Sequence, residues 1–176
     1  MPETLWHIYE DLFKKYKSKG VIIDSNLVLY FFIGSYDNNL VNRFKVTKKF
    51  GIAGFEILWN LIDHFDKIIT TPHILTEISN LSNKLEGIYK VEYFNLFFQK
   101  LETIDELFLP AKDNFADDRY RKFGLTDAAI VNLSKTKSYL VLTDDIPLYQ
   151  ILLKSEIDVI NFTHLFEYKF SFDEVY

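Results

Sequence analysis

The chain has 176 residues, of which 48% are hydrophobic and 26% charged, and it contains no cysteine. This length and composition suit one domain around one core, so we expect a single domain over residues 1–176, located in the cytoplasm because nothing depends on an oxidising compartment. The net charge of −5 argues weakly against a nucleic-acid binder, since Lys and Arg supply contacts with phosphates.

The amino-terminal segment is predicted to form an amphipathic helix. Apolar side chains recur at helical spacing over residues 5–16, and the acidic residues there do not suit a secretory signal. We therefore expect an extra helix at about residues 1–18, before the first strand.

The stretch "VIIDSNLVLYFF", residues 21–32, follows Gly20 and is apolar almost throughout. Such a run is typical of a strand covered on both faces, although it contains Asp24, a residue type rarely buried without a partner. We predict that the first strand begins here, with Asp24 at its exit. The longest unbroken apolar run, residues 27–33, is too short to cross a bilayer, so no membrane association is expected. A loop at residues 34–39 and helices at residues 40–50 and 55–65 are predicted to follow.

The second half of the chain alternates strands with helices. Thr71 and Pro72 form the strongest helix start in the sequence, since Thr caps the first turn and Pro at the first helical position loses no hydrogen bond. Thr126 is predicted to cap a later helix that has Asp127 in its first turn. The other predicted elements are strands at residues 67–70, 139–145 and 157–162 and helices at residues 94–101, 116–123 and 146–154.

This alternation of buried strands with helices predicts the fold class. We expect an α/β protein with three layers, α/β/α, and a mainly parallel central sheet. In such a sheet the carboxyl ends of the strands lie along one edge, and ligands bind in the crevice outside that edge.

Acidic residues follow the predicted strands at this edge. Asp24 lies at the exit of the first strand, Asp144 and Asp145 lie at the exit of another, Asp127 opens a helix and Glu77 lies on the helix after Thr71. Taken singly, the three later Asp residues are also explained as stabilisers of helix starts, and Glu77 as a surface acid. Together, these positions favour a shared crevice.

A crevice with several carboxylates needs a counter-charge. Two carboxylates about 5 Å apart repel by about 3 kcal/mol at an effective dielectric of about 20, so either some of them are protonated or a cation lies among them. Oxygen ligands without cysteine favour Mg²⁺ or Mn²⁺, and one or two such ions suit phosphodiester hydrolysis. Ser25, Asn26 and Thr143 stand beside the acids and either orient them or cap the local turns.

The motifs around these acids resemble those of the PIN-domain ribonucleases, metal-dependent nucleases that include many toxins of toxin–antitoxin pairs. The resemblance runs from about residue 19 to residue 162 and rests on "IIDSN", "TPHILTEI", "GLTDAAI" and "LTDDIPL", in that order. It implies that Asp24, Glu77, Asp127 and Asp145 are the catalytic, metal-binding acids, with Asp144 as a neighbouring candidate. It also implies cleavage of RNA with Mg²⁺ or Mn²⁺, a homodimer and, for a toxin, a small antitoxin partner.

Two basic segments are candidates for binding RNA. In "NRFKVTKKF" and "DDRYRKFGLTD", aromatic residues lie between cations, which suits stacking on unpaired bases and contact with phosphates. A solvated helix face explains the first segment equally well. Residues 34–66 also form a longer and more basic excursion than compact PIN toxins have. The candidate substrate-binding residues are Asn26, Thr143, Arg43, Lys45, Lys48, Lys49, Arg119, Arg121 and Lys122.

Other functions fit the sequence less well, with one exception. A phosphatase of the haloacid-dehalogenase type needs a second Asp where this chain has Asn26. The glycine motifs for dinucleotides and for P-loop nucleotides are missing, since "GIAG" at residues 51–54 satisfies neither. The exception is a binding module of the same fold that holds RNA or a protein without cleaving it, because the presence of acids does not establish turnover.

Overall fold

The computed structural model describes residues 3–43, 47–82, 87–114, 124–135 and 138–173. Its first part contains α1 (Glu3–Tyr16), β1 (Val21–Ile23), α2 (Ser25–Tyr36), a 3₁₀ helix (Asn38–Arg43) and α3 (Gly51–Asp63). The middle contains β2 (Ile68–Thr70), α4 (Pro72–Ser82), α5 (Gly87–Leu101), β3 (Ile104–Glu106) and α6 (Ala111–Asn114). The last part contains α7 (Leu125–Ser134), β4 (Leu140–Thr143), α8 (Ile146–Lys154), β5 (Val159–Asn161) and α9 (Phe162–Asp173).

The five strands form one sheet in the order β3-β2-β1-β4-β5, and every neighbouring pair is parallel. Helices flank this sheet, which confirms the predicted three-layer α/β/α fold. The chain places β2 and β3 on one side of β1 and β4 and β5 on the other. Such a reversal of strand order opens a crevice at the carboxyl ends of the two central strands, here β1 and β4.

Asp24 lies at the exit of the first strand as predicted, but the apolar residues after it form a helix, α2, that was not predicted. The strand ends at Ile23 and a helix starts at Ser25, because the Asp24 side chain caps the first turn by accepting a hydrogen bond from the amide of Leu27. The helix is apolar on all sides and packs against α3, α4 and α5, so it is a core helix. A continuous apolar run suits either a strand or a buried helix, and here the cap decides between them.

Residues 34–50 also differ from the prediction. Helix α2 continues to Tyr36, so the loop predicted at residues 34–39 is mostly wrong. The helix predicted over residues 40–50 is wrong where the structure describes it, since a 3₁₀ helix ends at Arg43 and a turn covers residues 47–50, while residues 44–46 lie outside the described residues. The Thr47 hydroxyl donates a hydrogen bond to the carbonyl of Val41, and Gly51 has a φ of 59° at the start of α3.

Several elements had no predicted counterpart. Strand β3 is short and two of its three residues are exposed, so it carries no apolar pattern. Helices α6 and α9 were also not predicted, and the helix predicted at residues 116–123 lies outside the described residues.

Helix α1 is attached beside β5, where Tyr16 and Lys15 contact Asp158 at 2.7 and 2.5 Å. Within the described parts of the chain, no helix is both long enough and apolar enough to span a membrane.

Candidate functional site

Asp24 lies between β1 and β4 at the carboxyl edge of the sheet and is 5% exposed. Its own amide donates to the carbonyl of Leu142 at 3.0 Å, which continues the pairing of the two strands. Its Oδ1 accepts from the amide of Leu27 at 3.1 Å, and its Oδ2 accepts from the Thr143 hydroxyl and from the amide of Asp144 at 3.1 Å. These donors explain how a carboxylate is accommodated within an apolar stretch.

Asp145 is joined to Asp24 through Thr143, which is fully buried. The amide of Asp145 donates to the Thr143 hydroxyl oxygen at 3.0 Å, while that hydroxyl donates to Asp24. The Asp145 side chain caps α8 by accepting from the amide of Leu148 at 2.7 Å. Two of the predicted metal-binding acids therefore lie at the ends of β1 and β4 and share one hydroxyl group.

Glu77 and Asp127 lie on α4 and α7, and both line one cleft of about 320 Å³ between these helices. We call it the α4–α7 cleft. Glu77 is also connected to the start of α2, since the Ser25 hydroxyl donates to its Oε2 at 2.9 Å. The other residues that line the cleft are His73, Thr76, Asn80, Gly124, Leu125 and Thr126. Thr126 does not cap α7 as predicted, because Gly124 is at the N-cap position and Thr126 lies inside the first turn.

The electrostatics of the site show crowding of negative charge. Burial raises the pKa of Asp24 to about 7, the Asp144 carboxylate adds to the rise, and the hydrogen bond from Thr143 opposes it. Burial also raises the pKa of Asp127 to about 6, with further contributions from the charges of Asp145 and Glu77. Each of the five predicted acids therefore either raises the pKa of another acid or has its own pKa raised.

Among the predicted substrate-binding cations that the structure describes, one is in contact with these acids. The Lys49 ammonium forms an ion pair with Asp144, whose side chain is 2% exposed. Arg43 and Lys48 are exposed and, in the described parts of the chain, form no ion pair with the acids. Asn26 is partly exposed on the first turn of α2. The predicted residues Lys45, Arg119, Arg121 and Lys122 lie outside the described residues.

The sequence did not single out the pairing of Lys49 with Asp144 or the role of Ser25 in holding Glu77. Both contacts join residues from segments that are distant in the chain, and no local pattern predicts them. The polar residues Thr76 and Asn80 in the α4–α7 cleft also carried no signal beyond their helical spacing from Glu77.

The chemistry of these side chains suits a hard divalent cation. The donors are carboxylate oxygens, and Oδ1 of the buried Asp144 has no hydrogen-bond partner. Among the residues that the structure describes, however, no three Asp, Glu or His side chains are placed to hold an ion together. The donor set therefore fits Mg²⁺ or Mn²⁺ by its chemistry, and the acids must move closer to one another to bind either ion.

Comparisons with known proteins add no assignment, because no model of a protein family and no curated protein matches this chain.

Proposed function

We propose that this protein is a metal-dependent ribonuclease that hydrolyses phosphodiester bonds of RNA. Mg²⁺ or Mn²⁺ is held by Asp24, Glu77, Asp127 and Asp145, with Asp144 beside them. The observation that supports this most is the connection of Asp24 to Asp145 through the Thr143 hydroxyl, at the point where the strand order reverses. The motif resemblance to PIN-domain ribonucleases supports the same reading.

Hydrogen bonds hold three of the acids in the metal-free protein, and from these positions the carboxylates approach one another when an ion binds. Thr143 and two backbone amides hold Asp24, and the cap of α8 holds Asp145. Ser25 turns Glu77 toward the end of β1. A divalent ion, when bound, neutralises charge on the phosphate and lowers the pKa of a water molecule. The charge crowding around Asp127 is relieved by any cation that enters, which favours binding.

The test is degradation of a mixed RNA pool with Mg²⁺, with Mn²⁺ and with chelator. We expect the wild-type protein to cleave RNA only when metal is present. Asp24→Asn and Asp127→Asn should each reduce the rate by about 100-fold or more, since loss of even an outer partner of a metal ligand costs about 10–100-fold. Asp105→Asn is the matched control, because Asp105 is an exposed acid on the edge strand β3. Intact RNA in both metals contradicts the proposal.

A second candidate is a binding module of the same fold, and one observation favours it. No described group of three acidic or histidine side chains is placed to hold an ion, so the site as it stands suits binding without turnover. A mobility-shift assay on the same RNA pool separates the two functions. A shifted but uncleaved RNA supports the binding module, whereas cleaved RNA supports the nuclease.

A cytoplasmic toxin that forms a homodimer and is held in check by a small antitoxin protein is the biological role that the resemblance suggests. Expression in a bacterial host tests it directly. We expect growth arrest with the wild-type protein and normal growth with Asp127→Asn at an equal protein level. Normal growth in both cultures contradicts the toxin role without affecting the proposed chemistry.

A further inference from the structure

The acids of the site fall into two groups, which differ in the charges that lie near them. The charge of Asp144 acts on Asp24 at the end of β1, whereas the charges of Asp145 and Glu77 act on Asp127, which lines the α4–α7 cleft. The first group has a cation of its own, because Lys49 pairs with Asp144. In the described residues, the second group has no Lys or Arg partner.

Lys49 is held in place from both sides. Thr47 is fully buried and donates its hydroxyl to the carbonyl of Val41, and Phe50 is buried at the start of α3. The Lys49 ammonium lies 4.7 Å from the centre of the Phe50 ring, which adds a cation–π contact to the ion pair. The backbone at Lys49 is therefore positioned by its buried neighbours Thr47 and Phe50, while its own side chain is 45% exposed.

The partner of Lys49 is not an ordinary surface acid. The Asp144 side chain is only 2% exposed, and its Oδ1 has no hydrogen-bond partner. A buried carboxylate requires a counter-ion or a proton, and the charge of Asp144 also acts on the carboxylate of Asp24, which accepts a hydrogen bond from the Asp144 amide. Lys49 supplies the positive charge at this position.

We propose that Lys49 is a built-in cation of the site, whose ammonium group takes the position beside Asp24 and Asp144 that a second divalent ion would need. The site then binds one divalent ion, at the end of the α4–α7 cleft. This inference rests on the proposed metal-dependent function, and it specifies how many ions that function uses. Ammonium and metal together give the site two positive centres of different kinds.

The experiment counts bound Mn²⁺ on the full chain after dialysis against chelator, by the loss of the free-ion signal in electron paramagnetic resonance. We expect the wild-type protein to bind one Mn²⁺ per chain. Lys49→Met should bind two, since the Asp144 carboxylate, whose charge acts on Asp24, then lacks its cation. Lys48→Met is the matched control and should bind one, because Lys48 is exposed and adjacent in sequence.

The inference is overturned if the wild-type protein binds two Mn²⁺ ions per chain, or if Lys49→Met binds only one. If the wild-type protein cleaves RNA with two ions bound, the proposed function stands and this inference alone fails. If the wild-type protein binds no Mn²⁺, the metal-dependent function fails together with it. Should Lys49→Met not fold without metal, Lys49→Met combined with Asp144→Asn removes both charges of the pair. That double variant should fold and bind one ion, and a second bound ion there contradicts the inference.

Discussion

The hydroxyl group of Thr143 donates a hydrogen bond to Asp24, 119 positions away in the chain, and accepts one from the amide of Asp145. One buried side chain thus joins the end of β1, the end of β4 and the start of α8. The two acids that it joins are candidate metal ligands, so their relative position depends on this hydroxyl. The strand pairing that brings Ile23 opposite Leu142 sets up the contact.

Replacing Thr143 with Val should destabilise the protein. The substitution keeps the shape but removes one of the two donors to Oδ2 of Asp24 and the acceptor for the Asp145 amide. We expect the free energy of unfolding to fall by about 1–3 kcal/mol, measured by urea unfolding in chelator. Thr70→Val is the matched control, because the buried Thr70 hydroxyl oxygen has no partner. Equal stability of the two variants would show that the Thr143 hydrogen bonds do not stabilise the protein.

Asp145 should show separate structural and metal-binding roles. Asp145→Ala removes the cap of α8 and should cost about 1 kcal/mol of stability, whereas Asp145→Asn keeps an acceptor for the Leu148 amide and should cost much less. Both variants lose the carboxylate, and both should bind Mn²⁺ more weakly than the wild-type protein. Urea unfolding and metal titration measure the two effects. Wild-type affinity for Mn²⁺ in Asp145→Asn would rule out this residue as a ligand.

The metal-free protein should become less stable as the pH rises toward neutrality. The pKa values of Asp24 and Asp127 are raised to about 7 and about 6, while unfolded Asp has a pKa of about 3.9. Between these values the folded state binds more protons than the unfolded state, so the free energy of unfolding falls with increasing pH.

Urea midpoints of chelator-treated protein between about pH 5 and about pH 8 check this expectation. The decrease should be smaller in Asp24→Asn, because the Asn side chain does not titrate. Saturating Mn²⁺ should also reduce the decrease, since the ion stabilises the charged carboxylates. Identical pH profiles for wild type and Asp24→Asn would show that Asp24 does not carry the effect.

The packing of α2 against α3 makes a prediction about the fold that is independent of the site. A Cβ atom on Gly34 would overlap the ring of Phe55, so Gly34→Ala should destabilise the protein by about 1–3 kcal/mol. A Cβ on Gly124 would meet nothing within 4 Å. Gly124→Ala should therefore cost no more than a weaker N-cap does, about 1 kcal/mol or less. Thermal unfolding compares the two, and an equal loss contradicts the packing.

The position of the acids could be predicted from the sequence because one topological rule suffices. Parallel strands end at one edge, so Asp24 and Asp145 had to lie near each other once β1 and β4 were adjacent. The choice between strand and helix after Ile23 could not be made in this way. Residues 25–36 are apolar on every side, and only the capping contact of Asp24 with the Leu27 amide reveals a helix.

The contacts that define the environment of the acids were beyond prediction. Lys49 lies in the turn at residues 47–50 and meets Asp144 at the end of β4, about a hundred positions further along the chain. Glu77 meets Ser25 because α4 packs on α2. Such pairings depend on three-dimensional packing and leave no periodic pattern in either segment.

A crystal structure of the protein soaked in Mn²⁺, with an anomalous difference map, tests the central claim most directly. The account predicts a peak at the carboxyl edge of the sheet, with carboxylate oxygens of Asp127 and of at least one of Glu77, Asp145 and Asp24 as ligands. A map without a peak at this edge, at an Mn²⁺ concentration that saturates other known sites of this kind, would contradict it, as would carboxylates that stay apart.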